Sequence, residues 1–285
     1  MANSKYISGL DLTDLMVPTK AATVFAAQEA SLYMSGGLVP MIDVPAGSTQ
    51  IKVPKLAAVA DPTALTAEAN PGVDIDTVIP VDSAVNIDLG LYATRSVVRD
   101  IGGISTDEIG RVLGNAIASA FDKKVTTQFA SLTTQELSGT APAGSLAVSD
   151  IFTAVGTIRN TGETGELFGI VSAGAYGELM SNIGSQAFAG GEFQNSAMRN
   201  GFFGRVAGIP LFVSSYLNDT DMGTSSKLPV AAIMSKDAVK GAMQGGVKLE
   251  IARRPEAVGF DIVASVAMGA NVIDSTRGVI IQDAS

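Results

Sequence analysis

Apolar residues recur at helical spacing over residues 105–132, the longest periodic stretch in the chain. Their positions are Ile109, Val112, Leu113, Ala116, Ile117, Ala120, Phe121, Val125, Phe129 and Leu132. This spacing places them on one face of an α-helix. The solvent face is predicted to carry Arg111, Asn115, Ser119, Asp122, Lys123 and Thr126. At 1.5 Å per residue the helix is about 40 Å long, well above the average of about 11 residues, so we expect it to brace an extended body.

A shorter periodic stretch precedes this helix. Its apolar positions are Ala22, Val24, Phe25, Ala26 and Ala30. They predict an amphipathic helix over residues 19–34, which ends at the pair Gly36-Gly37. On this pattern Phe25, like Phe121 of the long helix, is expected to pack in the core.

Two short segments alternate between apolar and polar side chains, which is typical of strands. They are residues 51–54 and 85–89. About thirty residues punctuated by proline separate them, whereas hairpin loops commonly have about two to five residues. Such a segment either is disordered or docks onto another surface, including that of a neighbouring chain. Proline reduces the freedom that the segment would lose on docking.

The rest of the chain mixes short helices with strands. Helices are predicted over residues 149–161, from Ser172 onward and over 236–243. Strands are predicted over residues 167–171, 209–215, 229–234, 247–251, 260–268 and 279–281. Residues 184–208, rich in Gly, Asn and Ser, are expected to form a surface loop. This mixture predicts an α+β fold.

The amino-acid composition limits the kinds of catalytic and metal-binding site that the chain can form. The chain of 285 residues has no His and no Cys, so it lacks the imidazole base and the thiol on which most catalytic and transition-metal sites rely. We therefore assign no catalytic, cofactor-binding or metal-binding residue. A net charge of −9 argues against specific nucleic-acid binding. No stretch approaches the roughly 18 apolar residues of a membrane span, and no secretory signal is evident, so a cytoplasmic location is expected.

The segment Gly201-Phe202-Phe203-Gly204-Arg205-Val206-Ala207-Gly208-Ile209-Pro210-Leu211-Phe212-Val213-Ser214-Ser215 resembles a turn and strand of the Hong Kong 97-type major capsid proteins of tailed bacteriophages. Residues 231–234 and 268–272 are also similar to that family, as is the order of elements along nearly the whole chain. The resemblance implies an α+β Hong Kong 97-like capsid fold with an N-terminal arm, an extended loop, a peripheral domain with a long spine helix, and an axial domain.

The resemblance also implies boundaries for these parts. The N-terminal arm would span residues 1–42 and the extended loop residues 43–97. The peripheral domain would comprise residues 98–148 and 244–285, and the axial domain residues 149–243.

By resemblance, copies of the chain would form the pentamers and hexamers of an icosahedral head that encloses double-stranded DNA without sequence-specific binding. The location implied is the virion, with assembly in the host cytoplasm. Because the N-terminal scaffolding segment common in the family is lacking, a separate scaffolding protein is expected. A portal and a decoration protein are further implied partners.

Several residues are candidates for contacts between subunits. They are Phe25, Lys52, Lys55, Asp74, Asp76, Arg205, Arg253 and Arg254. Some family members crosslink a Lys to an Asn, but the partners of Lys52 and Lys55 cannot be matched, so no crosslink is predicted.

Three alternatives to the phage head stay open. The first is an encapsulin-like nanocompartment shell, which would enclose a cargo protein. The second is an acidic surface or appendage subunit, and the third is an enzyme that works through carboxylates alone.

Overall fold

The structure is a computed structural model that describes residues 12–35, 37–56, 82–99, 106–137, 146–185, 205–206, 208–217 and 229–282. The helices of these residues are α1 (Leu12–Ala30), α2 (Leu32–Ser35), α3 (Thr106–Gln128), α4 (Val148–Asn160) and α5 (Ala173–Ser185). The strands are β1 (Met41–Asp43), β2 (Gln50–Leu56), β3 (Asp82–Asp88), β4 (Gly90–Arg99), β5 (Thr133–Glu136), β6 (Leu167–Ser172), β7 (Arg205–Val206), β8 (Ile209–Ser214), β9 (Pro229–Ser235), β10 (Val239–Arg254), β11 (Gly259–Val272) and β12 (Gly278–Gln282). The predicted α+β class is confirmed.

Four strands form one sheet in the order β1-β10-β11-β4. β10 and β4 both pair antiparallel with β11, and β1 pairs parallel with β10. Every second side chain of β11 from Ile262 to Met268 is buried, while those between are partly exposed. The buried side chains join the core that contains α3. This sheet therefore has one covered face and, within the described structure, one open face.

Six strands form a second sheet in the order β5-β12-β9-β6-β8-β7. The side chains of its central strands β9 and β12 are buried throughout. In β6, Phe168 and Ile170 join the core that contains α3, whereas Leu167 and Val171 pack with residues of α4 and α5. Burial on both faces explains the continuous apolar runs of these strands. The strands predicted over residues 167–171, 209–215, 229–234 and 279–281 are confirmed.

The long helix is also confirmed. α3 has 23 residues, about 35 Å at 1.5 Å per residue, and a 3-10 turn over Phe129–Ser131 follows it. α1 packs on α3 at very close range. A Cβ built on Gly114 would lie 2.5 Å from the carbonyl oxygen of Thr23 and 2.7 Å from the Cβ of Ala26. Glycine is therefore needed at this helix crossing.

The predicted helix over residues 19–34 is two helices, α1 and α2, separated at Ser31. The hydroxyl of Ser31 donates to Oδ1 of Asp122 at 2.6 Å, and the backbone N–H of Leu32 donates to Oδ2 at 3.0 Å. Asp122 of α3 thus caps the N-terminus of α2 and stabilises the break. We name this contact the Asp122 clasp.

Two residues predicted on the solvent face of α3 are buried. Asp122 is 4% exposed and Thr126 is fully buried. The hydroxyl of Thr126 lies 2.9 Å from that of Tyr33 of α2. The solvent-face prediction was wrong for both residues because the first two helices cover this part of α3, which a pattern within α3 does not show.

The helix predicted over residues 236–243 was also wrong. Residues 236–238 form a turn and β10 begins at Val239. Residues 241–243 pair with β1 on one side and with β11 on the other. Pairing on both sides, with partners distant in sequence, overrides the local pattern. The strands predicted over residues 247–251 and 260–268 are confirmed as parts of β10 and β11.

Candidate subunit interface

β2 and β3 form a two-stranded antiparallel hairpin of their own, with Ile51 opposite Ile87. This confirms both predicted strands. Ile87 is fully buried and Val53 is 7% exposed, and both pack in a small core on the four-stranded sheet. Lys52 and Pro54 point from the other face and are exposed. The hairpin thus has an inner face that holds it to the body and an outer face that is open.

Polar contacts also fasten the hairpin. Nζ of Lys55 lies 3.1 Å from Oδ1 of Asp274, and Nδ2 of Asn271 donates to the carbonyl oxygen of Asn86 at 2.8 Å. Lys55, a candidate for contact with another subunit, is therefore engaged within its own chain. These contacts hold β2 and β3 to the body of the subunit, and we call the two strands the hairpin root. Residues 57–81, which join the two strands, lie outside the described residues.

An ion cluster lies where the chain crosses between the two sheets. Nε of Arg277 is 3.2 Å from Oε2 of Glu163 and 3.5 Å from Oδ2 of Asp274, and one terminal nitrogen is 3.9 Å from Oδ2 of Asp237. The side chains of Glu163 and Asp274 are only 9% and 15% exposed. Burial opposes ionisation of Asp274, but hydrogen bonds from Thr276 and Lys55 outweigh it and lower its pKa. The cluster joins the hairpin root to both sheets.

Arg253 and Arg254 lie at the far end of β10. The guanidinium of Arg253 stacks over the ring of Phe260, 5.3 Å from its centroid, which is a cation–π geometry. Arg254 is 3.8 Å from Glu256, whose side chain is 86% exposed. This contact is a weak surface pair.

The open face of the four-stranded sheet carries the side chains of alternate residues. On β4 these are Leu91, Ala93, Arg95 and Val97, on β11 Asp261, Val263, Ser265 and Ala267, and on β10 Lys248, Glu250 and Ala252. Nε of Arg95 donates to Oδ1 of Asp261 at 2.6 Å, and its second nitrogen contacts Oδ2. The hydrogen bond from Arg95 lowers the pKa of Asp261.

Phe25 lies on α1 and is 64% exposed, whereas Phe121 is fully buried. The expected core position is confirmed for Phe121 and wrong for Phe25. α1 turns its small residues toward α3, so the bulky ring lies away from the crossing. An exposed Phe suits contact with a partner.

The remaining candidates cannot be placed in the same way. Asp74 and Asp76 lie outside the described residues, and Arg205 is described only as backbone of β7. The described candidates do not converge on one site but are spread over α1, the hairpin and the far end of β10. Arg95 and Arg277, which hold ion pairs among the described residues, were missed. Asp261, the partner of Arg95, and Glu163, a partner of Arg277, are both more than a hundred residues away in sequence.

Residues 138–145, 186–204 and 218–228 also lie outside the described part, including most of the predicted surface loop. No helix of the described residues is long and apolar enough to cross a membrane. Among the same residues, no group of three or more acidic side chains is arranged to hold a metal ion.

The class of protein that has this fold is defined by comparison with solved structures. The capsid structure of the cyanophage P-SCSP1u matches with a TM-score of 0.67 at 16% identity, over 87% of each chain. The mature capsid of bacteriophage PhiM1 matches with a TM-score of 0.61 at 13% identity, over 90% of this chain and 87% of that one.

A virus-like particle from Pyrococcus furiosus is also similar, with a TM-score of 0.62 at 13% identity, over 92% of this chain and 97% of that one. No protein-family model matches the sequence, and no curated protein does. The chain has the fold of phage capsid proteins. The resemblance inferred from residues 201–215 and the element order is thereby confirmed at the level of the fold.

Proposed function

We propose that this chain is the major capsid protein of a tailed phage and forms the icosahedral shell around packaged double-stranded DNA. The observation that carries the proposal is a capsid match over 87% of the chain. Because the match covers 87% of each chain, it supports a shell subunit and not merely a shared subdomain.

The Hong Kong 97-type parts are assigned as follows in this proposal. Residues 1–42 are the N-terminal arm and residues 43–97 the extended loop. α3 is the spine helix. The peripheral domain, residues 98–148 and 244–285, contains most of the four-stranded sheet, and the axial domain, residues 149–243, contains most of the six-stranded sheet. β5 and β12 belong to the residues of the peripheral domain, but they lie in the six-stranded sheet, where β12 pairs with β9. The two domains therefore share this sheet.

Contact between copies is proposed for the extended loop and the open surfaces. The hairpin root is fixed to its own body by Val53, Ile87 and Lys55. Permanent interfaces commonly bury about 2,000 Å² or more in total. The open face, the hairpin and α1 with Phe25 offer separate surfaces for neighbours. Lys52 and Arg254 are retained as contact residues, together with Asp74, Asp76, Arg205 and Arg253.

The partners and contents follow from this role. Copies assemble into pentamers and hexamers with a separate scaffolding protein and a portal, and a decoration protein binds the finished head. The net charge of −9 favours a wall that encloses DNA without holding it tightly. The chain acts as a structural protein without a catalytic step, is assembled in the host cytoplasm and resides in the virion.

An encapsulin-like shell remains the second candidate, because the virus-like particle from Pyrococcus furiosus matches over 92% of the chain. The two functions differ in the contents of the particle. DNA with a portal supports the phage head, whereas a cargo enzyme supports the nanocompartment.

The test is to express the chain alone and with candidate scaffolding proteins, and to examine the product by electron microscopy. The proposal predicts closed shells of uniform size. If every preparation contains only monomers or small oligomers, and these turn over a substrate, the enzyme alternative replaces it.

A further inference from the structure

Three regions that are distant in sequence meet at the hydroxyl of Tyr33. Tyr33 belongs to α2, Thr126 to α3 and Ser214 to the last position of β8. Oη of Tyr33 lies 2.9 Å from Oγ1 of Thr126, and it also forms a hydrogen bond with the side chain of Ser214. Tyr33 and Thr126 are fully buried and Ser214 is 4% exposed. We call these three residues the Tyr33 junction.

The hydrogen bonds of the Tyr33 junction have one consistent direction. Oγ1 of Thr126 donates to the carbonyl oxygen of Asp122 at 2.8 Å. Because a hydroxyl has one proton to donate, Tyr33 donates to Thr126 and accepts from Ser214. Oγ of Ser214 in turn accepts from the backbone N–H of Tyr216 at 3.2 Å. The Tyr33 hydroxyl is therefore the central link in a chain of donors that connects the turn after β8 with α3.

The position of Tyr33 depends on residues 31–39, which we call the arm root. Three consecutive residues donate hydrogen bonds to the carboxylate of Asp122, namely Ser31 through its hydroxyl and Leu32 and Tyr33 through their backbone N–H groups. Asp122 is 4% exposed, and a buried acceptor that loses its partners is costly. Because the three donors are neighbours in sequence, they dock on α3 and leave it together.

We propose that Tyr33 couples the docking of the arm root to the order of the turn at residues 214–217. While the arm root is docked, the proton of Ser214 has an acceptor and the turn is held. When the arm root leaves α3, that acceptor is lost and the turn opens more often. Coupling between two sites is reciprocal, so loosening the turn also weakens the docking of the arm root.

This conformational device goes beyond the proposed function. In the assignment made above, the arm root belongs to the N-terminal arm and the turn belongs to the axial domain. A displacement of the arm would therefore change the mobility of the axial domain of the same subunit.

Contacts of Tyr216 limit the expected response of the turn. Its Oη lies 2.6 Å from Oγ of Ser119 of α3, and Nζ of Lys123 lies 5.5 Å from the centroid of its ring. Neither contact involves the arm root, so the turn stays close to α3 when the arm root leaves. The expected change is more frequent local opening, and the backbone N–H of Tyr216, which donates to Ser214, reports it directly.

Hydrogen exchange of the full chain, followed by mass spectrometry, tests the coupling. Ser31→Ala removes one donor to Asp122 and should speed exchange in the arm root. Through Tyr33 it should also speed exchange in residues 214–217, by about 2- to 10-fold, as expected for one hydrogen bond. Tyr33→Phe keeps the ring but lacks the hydroxyl, so exchange in residues 214–217 should already be faster, and adding Ser31→Ala should not raise it further.

Ser235→Ala is the matched control. Ser235 is 3% exposed, and its hydroxyl accepts from the backbone N–H of Asp237 at 3.4 Å. It pairs with Leu167 at the start of β6. Ser214 pairs with Ser172 at the end of the same strand. The control should therefore leave exchange in the arm root and in residues 214–217 unchanged.

Reciprocity supplies a second, independent variant. Ser214→Ala leaves the Asp122 clasp intact and should nevertheless speed exchange in the arm root, by a smaller factor than Ser31→Ala. An arm root that is insensitive to Ser214→Ala would overturn the proposal.

The effects of Ser31→Ala decide the remaining outcomes. The proposal also fails if this change alters the arm root but not residues 214–217, if it alters neither segment, or if its effect on the turn persists in Tyr33→Phe. None of these measurements requires assembled shells, so a failure of the coupling is distinguishable from a failure of the proposed function.

Discussion

The two sheets differ in how many of their faces the subunit itself covers. The central strands β9 and β12 are buried throughout, whereas β11 alternates between buried and partly exposed positions. The central strands of the six-stranded sheet are therefore covered on both faces by other described residues of the same chain. The described residues cover the four-stranded sheet on one side only, and its edge strand carries exposed Leu91 and Val97. Among the described residues, the four-stranded sheet therefore leaves more surface for neighbours than the central strands of the six-stranded sheet.

The largest effect that tests this contrast comes from matched truncations. Ile233 of β9 is fully buried and Val97 of β4 is 44% exposed. Ile233→Ala should lower the free energy of unfolding of the subunit by about 2–5 kcal/mol through lost contacts and a cavity. Val97→Ala should change it by less than about 0.5 kcal/mol but reduce the yield of shells. Denaturant titration and electron microscopy measure the two effects. Equal losses of stability would contradict the contrast.

A smaller loss is expected where α1 covers α3. Gly114→Ala should destabilise the subunit by about 1–3 kcal/mol, because the added methyl group enters a space already filled by Thr23 and Ala26. The control is Gly156→Ala in α4, where nothing lies within 4 Å. That change should stabilise the subunit by about 0.5–1 kcal/mol. Both are measured by thermal and denaturant unfolding, and a stabilising Gly114→Ala would show that the two helices are not in close contact.

How far the sequence predicts this fold depends on whether an element is determined locally. The helical period of α3 and the apolar runs of β6 and β9 depend on positions close in sequence, and they were predicted correctly. The segment from residue 236 to 243 was mistaken for a helix because pairing with β1 and β11 decides its conformation. Asp122 was placed in solvent for the same reason, since its partners Ser31 and Leu32 are about ninety residues away.

The interface was less predictable than the fold. Arg253 was chosen as a candidate for a contact between subunits and Lys52 as a charged residue of the extended loop, and both are exposed. Lys55 was chosen on the same grounds but is paired with Asp274. Phe25 was expected in the core as an apolar residue of an amphipathic helix. Its exposure follows from the glycines of α3, which draw the small-residue side of α1 inward.

The junction between the sheets provides a third test. Arg277→Gln removes the cation that faces Glu163 and Asp274, whose side chains are 9% and 15% exposed. We expect a loss of about 1–2 kcal/mol, since partly buried carboxylates lose a charge-assisted partner. Arg254→Gln is the control, because its partner Glu256 is 86% exposed and such pairs contribute under about 1 kcal/mol. Equal effects of the two substitutions in denaturant titrations would show that the junction is not stabilised by its ions.

The smallest effect concerns the pH dependence of the Asp122 clasp. Burial raises the pKa of Asp122, although hydrogen bonds from Ser31 and the backbone oppose the rise. The folded subunit then binds this proton more readily than the unfolded chain, whose Asp has a pKa of about 4. The resulting stabilisation is present below that pH and is lost as pH rises through the raised pKa.

Asp122→Asn removes this titration. The free energy of unfolding of the unsubstituted subunit, minus that of the variant, should therefore fall between acidic and neutral pH. Denaturant titrations at a series of pH values measure the difference. Parallel pH profiles for the two proteins would contradict the assignment of the raised pKa to Asp122.

The central claim is that the sides of the four-stranded sheet and hairpin left open by one subunit are closed by other copies. The most direct measurement is a high-resolution electron cryomicroscopy reconstruction of the particles that the purified chain forms. The account predicts a closed shell in which the open face, the β4 edge and residues 57–81 contact adjacent subunits. A chain that stays monomeric in every condition, or a shell in which these surfaces face solvent, would contradict it.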